Sequence, residues 1–446
     1  MWHAAADDGV VTLRFGTDGM RGDARTELNA ALVQTLAQAG AEELGITGFA
    51  VGRDPRQSGP DLAAAVHSGV AAAGGTSADL GVVPTPAVAL WCANHRVAGA
   101  MISASHNPWH DNGVKFFAPG GNKLGDAVQD RIHARFEQLL GESRSAVTSD
   151  VTDAHSVAAE AHVARVVASL QGRRLDGLRV VVDAANGAAF EVAPDALSRL
   201  GADVTLIHAA PDGININNDC GSTHLDSLQT AVIESGADLG VAFDGDADRM
   251  LAVDATGGFV DGDQIIAMCA LDAKARGMLA EDAVVITVMT NLGFRRSMDA
   301  AGIEIVDTKV GDRYVLEALD ARQLSLGGEQ SGHVIFRELA STGDGLLTAV
   351  QLLDVVARSG RSLEELATES MTRLPQVLKN VKVAERPADI NAPLAPFIDA
   401  SLARMAGRGR VLIRPSGTEP LIRVMVEADT DAEAQMEADG LASAVE

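Results

Sequence analysis

Short apolar runs alternate with amphipathic helical stretches along most of this chain, and this alternation constrains the fold more than any other feature. Residues 179–183 and 238–243 are apolar runs bounded by turn residues, which is typical of buried strands. Residues 27–44 and 345–357 carry leucine and alanine at helical spacing, and Thr26 is the predicted N-cap of the first helix. Strands that alternate with helices of this length predict an α/β fold with crossover connections and mostly parallel sheets.

The α/β pattern restarts more than once along the chain. Its 446 residues are enough for about three domains of roughly 150 residues, or for four smaller ones. We predict α/β domains at residues 1–150, 151–253 and 254–370. A smaller domain follows at 371–446, with 371–382 as the linker that leads into it.

Charge and cysteine content limit the partners and the cellular compartment. The chain has 61 acidic and 36 basic side chains, a net charge of −25, which repels phosphate backbones and anionic bilayers. We therefore predict neither a nucleic-acid nor a membrane partner, and the N-terminal residues lack the basic and apolar segments of a signal peptide. Cys92, Cys220 and Cys269 lie far apart, which argues against a disulfide framework or zinc cluster and predicts a cytoplasmic protein.

A serine-containing loop, Ser103–Pro108, directly follows the predicted strand Val97–Ile102. A serine at such a place can act as a covalent nucleophile or carry a phosphate, although serine, asparagine and proline are also common in plain turns. His106 suggests a Ser–His pair with Ser105, but adjacent side chains rarely face each other and no G-x-S-x-G elbow is present. We therefore do not predict hydrolase chemistry.

The loop Asp244–Arg249 follows a strongly apolar strand and carries aspartates at 244, 246 and 248. In an extended backbone these side chains project to one side, where three carboxylates would suit a divalent cation. An EF-hand is excluded because Arg249 and Ala255 occupy positions six and twelve of the loop. The simpler alternative is a solvated acidic turn, but Arg249 is placed to pair with an anion.

A glycine-rich loop, Gly327–His333, lacks the lysine and Ser/Thr of a nucleotide-binding P-loop. Glu329, Ser331 and His333 offer an acceptor, a hydroxyl and an imidazole, which suits a polyol such as a sugar. A glycine-rich hairpin without such a role is an equally good interpretation of this segment.

The last loop, Arg414–Pro420, combines hydroxyls, backbone N–H groups and positive charge in an acidic protein, which favours a phosphate site over a plain hairpin turn. A candidate nucleophile, a metal loop, a sugar loop and a phosphate loop together indicate phosphoryl transfer on a sugar phosphate. The groups that contribute to the last loop are Arg414, Ser416, Gly417, Thr418 and Arg423.

Taken in order, these motifs resemble those of the α-D-phosphohexomutase superfamily over nearly the whole chain. The matching segments are Phe15–Gly22, Ile102–Pro108, Asp244–Arg249, Gly328–His333 and Arg414–Pro420. Within the superfamily, Gln330, Gly417 and the segment Val310–Tyr314 look like the phosphoglucosamine mutase branch. The resemblance implies three similar α/β domains with mixed sheets and a smaller C-terminal α+β domain around a central cleft.

The resemblance also implies a role for each motif residue. Ser105 would carry the phosphate and, through it, join the metal site, and Glu329 and Ser331 would hold sugar hydroxyls. Lys115 and His333 would handle protons, and Arg21 and Arg249 would stabilise the transferring phosphoryl group. The Mg²⁺ ligands would be Asp244, Asp246 and Asp248, and the non-reacting phosphate would be held by Arg414, Ser416, Gly417, Thr418 and Arg423.

The activity implied is the interconversion of glucosamine 6-phosphate and glucosamine 1-phosphate for UDP-N-acetylglucosamine synthesis. It would use Mg²⁺, phosphorylated Ser105 and a hexose 1,6-bisphosphate as primer and intermediate, in a cytoplasmic homodimer. A phosphomannomutase/phosphoglucomutase is the alternative within the superfamily, and a non-catalytic sugar-phosphate sensor is the alternative outside enzymes.

Overall fold

The computed structural model describes residues 13, 19–45, 47–141, 150–383, 390–415 and 421–445. These residues form four β-sheets that follow one another along the chain, each with helices packed on it. The predicted α/β class with a smaller last domain is therefore confirmed, whereas the boundaries at 150, 253 and 370 stay predictions.

The first sheet is mixed and has six strands. Its elements and those packed on it are β1 (Met20–Asp23), α1 (Ala30–Leu44), β2 (Gly48–Arg53), α2 (Gly59–Ala72), β3 (Thr76–Val82), α3 (Thr85–His95), β4 (Ala98–Ile102), β5 (Asp111–Phe117), α4 (Asp126–Leu140), β6 (Val151–Asp153) and α5 (His155–Ala168). The strands lie in the order β1-β5-β4-β2-β3-β6, with β2 parallel to β3 and β4 and with β5 antiparallel to β1 and β4. The serine loop therefore leaves the end of an interior strand, β4.

The first helix begins later than the sequence predicts. Asn29, not Thr26, is its N-cap, and the Asn29 Oδ1 accepts a hydrogen bond from the Leu32 N–H at 3.0 Å. The N–H groups of Thr26 and Leu28 both donate to the Asp23 carbonyl, which closes a separate turn before the helix. The Thr26 backbone therefore belongs to this turn and not to the start of the helix.

The second sheet has five strands and ends in an antiparallel hairpin. Its elements are β7 (Arg179–Asp183), α6 (Val192–Arg199), β8 (Asp203–Ile207), a 3-10 turn (Gly221–Thr223), α7 (Asp226–Ser235), β9 (Leu239–Phe243), β10 (Met250–Asp254) and β11 (Phe259–Val260). The spatial order is β11-β10-β9-β7-β8, and β7 is parallel to β8 and β9. Every residue of β9 is buried, as its apolar run predicts.

The third sheet has four strands. Its elements are α8 (Gly262–Ala275), a 3-10 turn (Ala280–Asp282), β12 (Ala283–Thr287), α9 (Leu292–Ala300), β13 (Glu304–Thr308), α10 (Asp312–Arg322), β14 (Leu326–Gly328), β15 (Val334–Phe336), α11 (Gly345–Ser359) and α12 (Leu363–Ser370). The order is β13-β12-β14-β15, and the final pair is an antiparallel hairpin that carries the glycine-rich loop.

The last domain is a three-stranded antiparallel sheet with two helices on it. Its elements are β16 (Gln376–Lys382), α13 (Asn391–Met405), β17 (Arg410–Pro415), β18 (Leu421–Glu427) and α14 (Asp431–Val445). The prediction of a linker over 371–382 was wrong for the residues of β16, which pair one for one with those of β18. The sequence of β16 contains several polar residues and therefore lacks the apolar run of a buried strand. Pairing with β18, and not local hydrophobicity, places it in the sheet.

The hydrophobic cores show which domains pack together. The second and third sheets share one continuous core that includes Val182, Phe243 and Ile286. The first and last sheets each have a core of their own. In the described part of the chain, no helix combines the length and apolarity that a membrane crossing requires.

Candidate active site

Ser105 lies in the loop after β4, and its hydroxyl contacts the aspartate loop of the second sheet. The Ser105 Oγ donates a hydrogen bond to Asp244 Oδ2 at 2.5 Å, although the residues are 139 positions apart. Ser105 is buried and has a φ of +53°, a left-handed conformation that costs a non-glycine residue on the order of 1 kcal/mol or more. The surrounding structure therefore holds this hydroxyl in one place at an energetic cost.

A buried arginine that the sequence analysis missed holds the serine loop. The Arg56 guanidinium donates hydrogen bonds to three backbone carbonyls of this loop, those of Ser105 and Asn107 at 2.9 Å each and that of Pro108, and to the carbonyl of Asp111 in β5 at 2.9 Å. The Arg56 Nε also pairs with the buried Asp54 carboxylate at 2.9 Å. No motif marks Arg56, because its contacts to the loop are with carbonyl oxygens that any residue would supply.

The three aspartates of the metal loop converge, but not from the extended backbone that we predicted. Because β9 and β10 are antiparallel neighbours, the loop between them must reverse the chain, and Ala247 has a left-handed φ of +54°. Ligand oxygens of Asp244, Asp246 and Asp248 all lie within 4.8 Å of one another, and all three residues are buried. The turn, not strand alternation, brings the carboxylates together.

The aspartate cluster fits a divalent cation. Burial and the charges of Asp246 and Asp248 raise the pKa of Asp244 well above its ordinary value. Asp246 Oδ1 and Asp248 Oδ1 are buried and accept no hydrogen bond within the described residues. Hard carboxylate oxygens in this arrangement are suitable ligands for Mg²⁺.

Lys115, on β5, only partly neutralises the cluster. Its Nζ lies 2.8 Å from Asp246 Oδ2 and 3.8 Å from Asp248 Oδ2. Burial by itself would lower the pKa of Lys115, but these two carboxylates raise it above its ordinary value. Burial also acts on Asp246, but Lys115 and the Thr85 hydroxyl, at 2.7 Å, lower the pKa of that carboxyl. Arg21 and Arg249 also act on these carboxylates, so Lys115 is one of three cations beside the three aspartates.

All five predicted catalytic residues line one cavity with the metal loop. These residues are Arg21, Ser105, Lys115, Arg249 and His333. The cavity is also lined by Asp248 and Glu329. Loops from the first three sheets thus face a single space that holds a serine hydroxyl, carboxylates and several cations.

His106 faces Ser105, contrary to the expectation that adjacent side chains rarely do so. The Ser105 Oγ is 3.2 Å from His106 Nδ1, and Arg249 Nη1 is 3.3 Å from the same nitrogen. Burial and then the charges of Arg249 and Arg21 lower the pKa of His106 to about 4, so the ring is neutral at pH 7. The left-handed turn at Ser105 explains the contact, because it brings the next side chain back beside the hydroxyl.

The sugar loop is a hairpin between β14 and β15, and its residues point in different directions. Glu329 lines the cavity and accepts a hydrogen bond from the Gly311 N–H at 3.0 Å. The Ser331 hydroxyl is buried without a hydrogen-bond partner in the described residues and is not among the groups that line the cavity. The Gln330 Nε2 lies 3.4 Å from Asp263 Oδ2, away from the cavity.

Only part of the phosphate loop can be placed. Arg414 and Arg423 are paired across β17 and β18, and neither lines the cavity around Ser105. Burial and the adjacent Arg423 lower the pKa of Arg414, which indicates two cations close together. The predicted residues Ser416, Gly417 and Thr418 lie outside the described residues.

Comparison with known proteins defines the class. Four domain models of the phosphoglucomutase/phosphomannomutase family match residues 12–141, 160–258, 261–374 and 378–444 in domain order. A phosphoglucomutase/phosphomannomutase family protein from Burkholderia thailandensis has a TM-score of 0.80 at 25% identity, over 97% of this chain and 96% of that one. An N-acetylphosphoglucosamine mutase from Aspergillus fumigatus, solved with GlcNAc-6P and magnesium, shares the fold with a TM-score of 0.71 at 20% identity, over 99% of this chain and 96% of that one. The chain is therefore a member of the phosphohexomutase superfamily.

Closer relatives narrow the assignment. A phosphoglucosamine mutase from Frankia casuarinae is 53% identical over 97% of both chains, and one from Thermobifida fusca is 51% identical over 98% of both. The chain belongs to the phosphoglucosamine mutase family, whose members are isomerases.

Proposed function

We propose that the protein interconverts glucosamine 6-phosphate and glucosamine 1-phosphate through a phosphorylated Ser105 and a glucosamine 1,6-bisphosphate. The product would serve UDP-N-acetylglucosamine synthesis. The observation that carries this proposal is the 2.5 Å contact of the buried Ser105 hydroxyl with Asp244, inside the three-aspartate cluster. The relatives at about 50% identity support the choice of amino sugar.

In the proposed reaction, phosphorylated Ser105 donates its phosphoryl group to the free hydroxyl of the sugar phosphate. The bond from phosphorus to Ser105 Oγ breaks, and a bond from phosphorus to the sugar oxygen forms. Lys115 and His333 line the cavity where the hydroxyl proton must leave and later return. Arg21 and Arg249 face the same space and would stabilise the charge on the transferring group.

Asp244, Asp246 and Asp248 would hold Mg²⁺ together with an oxygen of the phosphate on Ser105. When bound, the cation supplies positive charge that offsets the negative charge developing on the phosphoryl oxygens. Ser105 and these aspartates come from different sheets, so the site is complete only when the first two domains are packed together.

The 1,6-bisphosphate must then turn so that its other phosphate reaches Ser105. This requires a second anion site, for which we propose Arg414 and Arg423 with Ser416, Gly417 and Thr418, while Glu329 and Ser331 hold sugar hydroxyls. The adjacent guanidiniums support the assignment, since neither forms an ion pair within the described residues. A separate core in the last domain would let it move as the sugar turns.

A coupled mutase assay with Mg²⁺ and a hexose 1,6-bisphosphate primer tests the proposal. We expect a clear preference for glucosamine 6-phosphate over mannose 6-phosphate and glucose 6-phosphate. A preference for mannose or glucose would support a phosphomannomutase/phosphoglucomutase instead. No turnover on any of the three, with Ser105 phosphorylated, would support the sugar-phosphate sensor. The cytoplasmic location and the homodimer stay predictions.

Replacing Arg414 with alanine is expected to weaken substrate binding more than turnover. Loss of charge-assisted hydrogen bonds worth about 1.5–3 kcal/mol should raise KM about 10- to 100-fold, with kcat changed less than about threefold. Steady-state kinetics measure both constants. Arg408→Ala is the matched control, because Arg408 is in the same domain but pairs with Asp429 and Glu433. An unchanged KM in Arg414→Ala would remove this arginine from the substrate site.

A further inference from the structure

Asp312 joins two domains inside the candidate active site. It is the first residue of α10, and its Oδ2 binds Lys123 Nζ of the first domain. The same oxygen lies 3.2 Å from His333 Nε2. The side chains of Asp312, Lys123 and His333 are only 8%, 7% and 2% exposed, so water screens these contacts little.

The His333 ring is also confined from another side. A Cβ atom at Gly343 would lie 2.3 Å from His333 Nε2 and 2.4 Å from its Cε1, so the ring packs directly on the glycine backbone. His333 Nε2 is also 3.8 Å from Asp248 Oδ2 of the metal loop. The ring is therefore held between Gly343 and Asp312 with its Nε2 edge beside the metal site.

We propose that Asp312 is a positioning residue for His333, with Lys123 anchoring its carboxylate from the opposite domain. A carboxylate 3.2 Å from an imidazole nitrogen favours a proton on that nitrogen and restricts how the ring is turned. Because Lys123 belongs to the first domain, the Asp312 carboxylate is anchored beside the ring only when the first and third domains are packed together. The inference rests on the proposed mutase function, in which His333 handles a proton.

The neighbouring residue of α10 supplies a matched control. Arg313 pairs with Asp126 of the first domain, with one contact at 2.7 Å, so two successive residues bridge the same two domains with opposite charges. Asp126 is 69% exposed, and its carboxylate pairs with Arg313 and not with His333. Loss of Asp126 therefore weakens the bridge between the domains without changing the contacts of His333.

A double-mutant cycle tests the proposal by measuring kcat and KM for Asp312→Asn, His333→Asn and the double variant. We expect Asp312→Asn to lower kcat about 10- to 100-fold with KM within about twofold, and the double variant to match His333→Asn. Asp126→Asn should leave kcat within about twofold. The proposal is overturned if the kcat of the double variant falls by the product of the two single reductions. It is also overturned if the kcat of Asp126→Asn is as low as that of Asp312→Asn.

A spectroscopic measurement keeps the test decisive if the activities are too low to compare. The ¹⁵N signals of the His333 ring should shift in Asp312→Asn and in Lys123→Gln, but not in Asp126→Asn. Lys123→Gln keeps the carboxylate and serves if Asp312→Asn does not fold. Unshifted ring signals in a folded variant would refute the proposal. Failure of the proposed function would be distinct, since the unsubstituted protein would then lack mutase activity.

Discussion

Ser105→Ala is expected to abolish mutase turnover, with kcat reduced by at least about 10⁴-fold and the fold retained. The hydroxyl is the proposed phosphate carrier, and no neighbouring side chain can replace its oxygen. Stability should change by only about 1 kcal/mol, because the substitution removes one hydrogen bond to Asp244 and little volume. The coupled assay measures turnover, and thermal unfolding measures stability.

The matched control is Ser103→Ala in the same loop. The Ser103 hydroxyl donates to Asp54 and accepts from the Ser105 N–H, so it supports the loop without being the proposed nucleophile. We expect this variant to stay active, although slower. Near-normal turnover in Ser105→Ala would show that the phosphoserine mechanism is wrong. Mass spectrometry should find one phosphate on Ser105 in the active protein and none in the variant.

Removing Mg²⁺ is expected to lower kcat at least about 100-fold, because the cation is proposed to supply several kcal/mol of transition-state stabilisation. Asp248→Asn should lose activity to a similar extent, because one ligand charge is gone. Thermal unfolding measures Mg²⁺ binding without depending on enzyme activity. Mg²⁺ at about 100 times its Kd should stabilise the unsubstituted protein by about 2.7 kcal/mol, and Asp248→Asn should gain much less.

Asp111→Asn is the control for the metal experiment. Asp111 belongs to a second acidic cluster, with Asp23 and His110, that is partly exposed to solvent. Full stabilisation by Mg²⁺ in Asp111→Asn, together with little in Asp248→Asn, would assign the ion to a buried site that contains Asp248 and not to the exposed cluster. Equal stabilisation of both variants, or full activity after chelation, would contradict the proposed metal site.

The strand predictions were correct where a strand depends on neighbouring residues in the chain, and wrong where it depends on residues far away in the sequence. The strand predicted at 238–243 is β9, because a buried strand needs a continuous apolar run that is visible in the sequence. β16 escaped prediction because only Val381 among its residues is fully buried and its partner strand lies about 40 residues further along the chain. Thr26 does not cap the first helix, because its N–H donates to the Asp23 carbonyl in a separate turn that precedes the helix.

The candidate site shows the same division. Ser105, Lys115, His333 and the aspartates could be named as candidates, because they lie in or near segments that resemble those of the phosphohexomutase superfamily. Arg56 and Lys123 could not, since neither lies in a motif and each meets its partners only through the tertiary fold.

Local sequence was thus sufficient for the α/β class and for naming the candidate loops. Tertiary structure alone decided which of those loops meet. The Ser105–Asp244 contact joins residues 139 positions apart, and the Lys123–Asp312 contact joins residues 189 positions apart. Such distances depend on how separate sheets pack against one another, and hydrophobic periodicity within a single strand or helix contains no information about that packing.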